Sequence, residues 1–206
     1  VMGDFSQNGI ISNLHDFGTK TTADIEKELV KFSKERKMEL ILPSLYSELK
    51  GDALPNIVKQ ISETKYLNHI IVGLDKASKA EAVKAWKFFK KLNTPFTILW
   101  NDGPRLKKLH EELKKKDLAP SEMGKGRNVW YCLGMCIARD EARSVALHDC
   151  DIKTYDRRML AKLFYPVVNP LFNFEFCKGY YPRISNGKMN GRVARLLVSP
   201  LLNALE

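Results

Sequence analysis

From Thr21 onward, short apolar runs alternate with longer stretches in which apolar residues recur every three or four positions. The first pattern suits buried strands and the second amphipathic helices. Thr21-Thr22, followed by Asp24 and Glu26, predicts an N-cap for a helix through Arg36, and Glu39 to Leu42 predicts a strand stopped by Pro43. The same reading predicts a helix around Pro55–Glu63, a strand over His69–Leu74, a helix over Lys79–Leu92 and a strand over Pro95–Trp100. It then predicts helices over Arg105–Lys116 and Gly126–Glu141 and a strand over Ser144–His148. After Tyr155 the pattern changes to a helix over Arg157–Phe164, a strand-like Phe172–Gly179, a turn at Asn186-Gly187 and a closing helix from Gly191 to Leu205.

Strands separated by helical stretches cannot be joined as hairpins, so their pairing should be mostly parallel, with helices on both faces of the sheet. The expected class is a doubly wound α/β fold. With no internal repeat, low-complexity segment or Gly/Ser linker, residues 1–206 are expected to form a single domain.

Composition narrows the partners. A hydrophobic content of 44% in 206 residues excludes a disordered chain. No run approaches the roughly 18 apolar residues of a membrane span, and the first residues lack a basic segment followed by an apolar one, so neither a membrane partner nor a secretory leader is expected. Cys132, Cys136, Cys150 and Cys177 have no C-x-x-C spacing and read as reduced structural thiols, which points to the cytoplasm. The net charge of +10 favours anionic partners. Much of that charge lies in KAWKFFKKL and LKKLHEELKKK, the pattern of solvated amphipathic helices, and nothing resembles an RNP aromatic motif, a zinc finger or a recognition helix. Nucleic acid is therefore not the expected primary partner.

Ligands of open parallel sheets bind beyond the carboxyl ends of the strands, which directs attention to the residues after each apolar run. These are Pro43 to Glu48, Asp75, Asn101-Asp102-Gly103 and Asp149-Cys150-Asp151. Asp149 and Asp151 form a D-x-D pair whose hard oxygens suit Mg²⁺ or Mn²⁺ carrying a diphosphate, although D-x-D alone also reads as a solvated turn. Gly124-Lys125-Gly126 could present an ammonium and helix amides to a phosphate, or could be a flexible loop with an exposed lysine. It is not a Walker A loop, and no G-x-G-x-x-G follows the first strand. Gly191-Arg192, after Lys188, could hold a phosphate or carboxylate, or simply cap a helix. His148 could act as acid, base or ligand, or be a hydrogen-bonded structural residue.

Taken in order, LPSLYSE, a second strand ending in aspartate, GKGRNVW, ALHDCD and NGRVARLLVSPLL resemble the retaining nucleotide-sugar glycosyltransferases that make glucosyl-3-phosphoglycerate, with the mannosyl-3-phosphoglycerate synthases as relatives. The resemblance covers about residues 38 to 206. It implies a GT-A, Rossmann-like fold and glucose transfer to 3-phosphoglycerate from a nucleotide-diphosphate sugar, with UDP-glucose ahead of GDP-glucose and GDP-mannose. It also implies a Mg²⁺ or Mn²⁺ cofactor and a cytoplasmic homodimer. By the same resemblance Pro43 and Leu45 line the base and ribose pocket, with Ser47 or Glu48 and Asp75 also on the nucleotide. Lys125 lies near its phosphates, Asp149 and Asp151 form the metal pair with Asp151 the direct ligand, and these three make up the catalytic set. Gly191, Arg192, Val193 and Ala194 match the acceptor-holding stretch, joined by Lys178 and Arg183. The second strand ends in LDKASK where the family more often has an aspartate-serine turn, and Tyr46-Ser47 stands where Asn-Glu is common. The family's further C-terminal segment supplies a histidine metal ligand, and no histidine follows residue 148 here, so the chain is expected to correspond to the N-terminal part of a longer enzyme. The alternative from another class is a non-catalytic nucleotide or nucleic-acid binding module that uses the basic helices.

Overall fold

The computed structural model describes residues 18–172, 174–179, 183–185, 188–190, 197 and 199–205. The chain divides into two compact units, one formed by Lys20–Cys177 and the other by Val1–Thr19 with Lys178–Glu206.

In the larger unit, α1 (Thr22–Phe32) leads into β1 (Met38–Leu45), a 3₁₀ turn (Tyr46–Lys50), α2 (Ala53–Ser62), β2 (Leu67–Asp75), α3 (Lys79–Phe89) and β3 (Phe96–Trp100). There follow α4 (Pro104–Lys114), α5 (Lys125–Arg139), β4 (Ser144–Leu147) and α6 (Arg157–Val168). The four strands form one parallel sheet in the order β3-β2-β1-β4. The doubly wound reading holds. Helix starts follow local chemistry: Thr21 and Asp24 form a capping box on α1, Ser78 and Glu81 form one on α3, and the Asp156 side chain accepts from Arg158 N at the start of α6.

Strand alternation divides the core between the two faces. Met38, Leu40 and Leu42 of β1 and Ile70 and Val72 of β2 meet Leu54, Ile57 and Ile61 of α2 and Leu160, Ala161 and Phe164 of α6. On the opposite face Ile41 and Ile71 meet Cys132 and Cys136 of α5. Each such fully buried aliphatic side chain stabilises the fold by roughly 1.5–3 kcal/mol. All four cysteines are unpaired, as expected of reduced thiols, and burial pushes Cys132 and Cys136 up to about 12. The lysine-rich α4 buries no residue, in keeping with a solvated helix.

Three local expectations fail. Pro43 does not stop the first strand, since β1 continues to Leu45 with Pro43 opposite Gly73. Ile41 O accepts from His148 N, so the imino nitrogen two residues later faces the same side, where β4 has already ended and no ladder bond is lost. Helix α6 passes Phe164 and Pro166 to reach Val168, a last turn whose Phe164, Pro166 and Val168 are all buried. No strand forms among the described residues of 172–179. There Phe172 packs on Tyr165 and Phe174 instead, and Phe176 is 79% exposed, so the aromatic alternation has no partner strand to bond.

In the smaller unit β5 (Arg183–Ser185) pairs antiparallel with β6 (Lys188–Asn190), and α7 spans Ser199–Leu205. Asn186-Gly187, the expected turn, and most of the expected start of the closing helix lie outside the described residues.

Helix α5 approaches β2 at Gly73, where Asn128 Nδ2 donates to Gly73 O at 2.9 Å. A Cβ on Gly73 would stand 1.7 Å from Asn128 Oδ1 and 2.7 Å from Cys132 Sγ. Gly73→Ala is therefore expected to lower the unfolding free energy by about 2–4 kcal/mol in urea titration, with partial recovery in the Gly73→Ala/Asn128→Ala double variant. A loss below about 0.5 kcal/mol would show that the helix can back away without cost.

Candidate functional site

β1 lies between β2 and β4, so the chain leaves β1 in one direction for β2 and β3 and returns on its other side as β4. In open parallel sheets the carboxyl ends of the strands on either side of such a reversal, here β1 and β4, are where ligands bind. The register places Leu45 beside Asp75, and the bond from His148 N to Ile41 O brings the start of the D-x-D segment to β1. The helix that precedes β4, α5, presents its N-terminus to the same edge. Gly124 begins it at φ 146°, on the side of the conformational map that favours glycine, and no side-chain cap occupies its first amides.

Two ion pairs follow from that placement. Lys125 Nζ pairs with Asp149 Oδ1, joining the start of α5 to the end of β4. Their side chains are 54% and 39% exposed, so this contact contributes little to stability and leaves the ammonium accessible. Arg127 Nη2 lies 3.4 Å from Asp75 Oδ1, and these side chains are only 12% and 6% exposed. Asp151, two residues beyond Asp149, is exposed. Pro43 is buried in the strand, Leu45 is half-buried and Ser47 is exposed on the 3₁₀ turn. Glu48 turns back on its own segment, where Oε2 accepts from Leu45 N at 2.9 Å.

His148 is enclosed behind this edge with its ring centroid 5.3 Å from that of Tyr155 and Nδ1 without a hydrogen-bond partner. Burial lowers its pKa to about 4 against the opposing pull of Asp149, so the imidazole is neutral near neutral pH. Among the described residues no group of three His, Cys, Asp or Glu side chains could hold a metal ion. Two carboxylates are present and suit a hard cation whose remaining ligands come from a bound anion.

The predicted Lys125, Asp149, Asp151, Pro43, Leu45, Ser47, Glu48 and Asp75 thus fall at the carboxyl edge of the sheet. Lys178 is exposed in the smaller unit, Arg183 begins β5, and Gly191, Arg192, Val193 and Ala194 lie outside the described residues. Sequence reading gave no role to Arg127 or to the buried Asn101 after β3. Both stood in segments already singled out by position, GKGR and the third strand end, but a single sequence does not say which side chains turn inward.

No family model matches the chain. It is 44% identical over 204 residues to the glucosyl-3-phosphoglycerate synthase of Persephonella marina, an alignment covering 99% of this chain and 50% of that protein. Nearly the whole of this chain is thus similar to one half of a glucosyl-3-phosphoglycerate synthase. A second such synthase, from Methanococcoides burtonii, is 38% identical over 206 residues, with 98% of this chain and 50% of that protein covered. The chain spans about half the length of the curated relatives it matches. The backbone is similar to glucosyl-3-phosphoglycerate synthase from Mycobacterium tuberculosis crystallised with Mn²⁺, UDP and glucosyl-3-phosphoglycerate, with a TM-score of 0.53 at 19% identity over 94% of this chain and 57% of that one. The same enzyme with phosphoglyceric acid gives 0.53 at 18% identity, over 93% and 57%. The fold is the GT-A glycosyltransferase fold.

The buried imidazole makes stability depend on pH. Unfolding restores the ordinary His148 value near 6.5, so between about 6.5 and 4 the unfolded chain binds the extra proton. Stability should fall by up to about 3 kcal/mol as pH drops through that window. His69 is shifted down as well, chiefly by burial, so the His148 share is read from the difference between the metal-free chain and its His148→Phe variant in denaturant titrations at each pH. Parallel curves for the two proteins would contradict the assignment.

Proposed function

We propose that this chain forms the nucleotide-sugar-binding part of a metal-dependent, retaining glycosyltransferase that moves glucose from UDP-glucose to 3-phosphoglycerate. The observation that carries the reading is the meeting of Lys125 with Asp149, the first aspartate of the D-x-D pair, at the point where strand order reverses. The similarity to synthases of that name, and to a crystallised synthase holding Mn²⁺ and UDP, supports it. Exposed lysines on α3 and α4 favour no specific nucleic-acid mode, so the binding-module alternative has no observation of its own.

Pro43, Leu45, Ser47, Glu48 and Asp75 are assigned to the nucleoside and Lys125 to its diphosphate. Asp149 and Asp151 would hold Mg²⁺ or Mn²⁺, with Asp151 as the direct ligand. A divalent ion bound there supplies positive charge to the departing diphosphate. Lys125 adds a second charge from the opposite element, and Asp149 orients its ammonium. Such preorganised charge is worth several kcal/mol in a site that excludes water. With no carboxylate assigned as nucleophile, transfer with retention proceeds on one face of the sugar. The bond from the anomeric carbon to the diphosphate oxygen breaks, the acceptor hydroxyl bonds to that carbon on the same face, and its proton passes to the departing diphosphate. Lys178, Arg183, Gly191, Arg192, Val193 and Ala194 are assigned to the acceptor, whose phosphate and carboxylate suit cations and helix amides. A cytoplasmic homodimer completes the reading; among the described residues no helix is long and apolar enough to cross a membrane.

Calorimetry on this chain tests the donor half of the proposal. UDP should bind in a Mg²⁺-dependent manner, and Asp151→Ala should remove that dependence. Lys125→Ala should weaken UDP by about 1.5–3 kcal/mol, the scale of a charged hydrogen bond, while leaving uridine nearly unchanged. Equal losses for UDP and uridine, or metal-dependent binding that survives Asp151→Ala, would overturn the assignments.

A further inference from the structure

The two edges of the sheet are finished differently. All five residues of β3 are half-buried, whereas Val145 and Leu147 of β4 are 39% and 41% exposed. Among the described residues β4 pairs only with β1, to which Ser144 N and His148 N donate at Lys37 O and Ile41 O. Successive residues of a strand bond to opposite sides, so the amides and carbonyls of Val145 and Leu147 point to the open edge. Their side chains lie in register with Glu39 and Ile41, on the face that α5 covers. Helix α5 leaves the same region bare. From Asn128 to Ala138 it carries no charged residue, unlike the lysine-rich α3 and α4. Its buried row is Asn128, Cys132 and Cys136, and Tyr131 on one flank bonds His110 of α4. The other flank, turned toward β4, carries the exposed Leu133 and Ile137 one turn apart, Ile137 at 78%. A helix that is apolar all round belongs in an interior, and here its β4 side has no cover.

Length and charge identify what covers it. The chain spans about half of each synthase it matches, so a comparable length of polypeptide has no counterpart here. A second copy would bring another net charge of +10 to the contact, and like charges oppose association. We propose that the open edge of β4, with Leu133, Ile137, Val145 and Leu147, is the docking surface for the half of a glucosyl-3-phosphoglycerate synthase that this chain does not match. That half adds a strand to β4 through the free backbone groups of Val145 and Leu147 and lays apolar side chains over Leu133 and Ile137. The described residues of 172–179, strand-like in sequence yet forming no strand, accord with a sheet still short of strands. The inference concerns the sheet and does not rest on the identity of the donor.

The test produces the 206-residue chain in the same cells as the half of the Persephonella marina synthase that lies outside the alignment. The two should co-purify as a one-to-one complex. Ile137→Glu and Val145→Lys should each lower its recovery at least about tenfold, since both place a charge in an apolar contact. Val83→Glu, a control at an exposed apolar residue of α3, should leave recovery unchanged. Hydrogen exchange supplies the second readout: the Val145 and Leu147 amides should exchange freely in the chain alone and at least about 100-fold more slowly in the complex. Should the separate half be insoluble, the same exchange measurement on the two joined in one polypeptide decides the matter. Amides of β4 that stay fast in the complex or the joined polypeptide would overturn the proposal, as would a complex indifferent to Ile137→Glu and Val145→Lys. Dimerisation of the chain alone that Ile137→Glu abolishes would assign the face to a second copy instead. Neither readout involves UDP, so the donor assignments stand or fall separately.

Discussion

The contact between Asn128 and Gly73 governs how the rest of the site is built. The Asn128 amide bonds the Gly73 carbonyl where there is no room for a side chain on the strand, so α5 is seated against β2 at a fixed height and rotation. Lys125 lies about one turn before Asn128, and Arg127 is its immediate predecessor. Once the helix is pinned, their directions follow from helical geometry. Lys125 meets Asp149 at the end of β4, while Arg127 drops inward to Asp75 at the end of β2. One close approach therefore ties three elements to a common edge, and the hydrophobic contacts of Cys132 and Cys136 with Ile41 and Ile71 hold the helix down along its length.

The two ion pairs play different parts because their solvation differs. The Asp75–Arg127 pair is nearly dry, so each partner is held by the cost of leaving the other unpaired. The Lys125–Asp149 pair sits in water, where its mutual attraction is weak and either partner can be drawn to a ligand without much loss. A firm inner pair beside a loose outer one is what a binding edge requires. The firm pair keeps geometry while the loose pair exchanges partners. His148, kept neutral by burial immediately behind the outer pair, adds no competing charge there. Most of the chain's excess lysines are elsewhere, on helices that bury little, and they bear on solubility more than on the site.

How much of this was readable without coordinates can be judged residue by residue. The alternation of apolar runs with amphipathic stretches determined the parallel α/β class, since long connections rule out hairpins and the periods of two and about 3.6 are local properties of the chain. The candidate list at the strand ends was readable for the same reason, as each polar residue there follows directly from where a buried run stops. Lys125, Asp149, Asp151 and Asp75 could be named as a set. Only tertiary structure decided the rest. The β3-β2-β1-β4 order, which puts the reversal of strand order at those ends, depends on long-range pairing that a single sequence does not encode locally. Pro43 was misread as a stop because its tolerance depends on β4 ending two residues earlier on the neighbouring side. Arg127 and Asn101 were passed over because whether a polar side chain points inward is settled by strand register and helix rotation, and those are set by packing between elements distant in sequence.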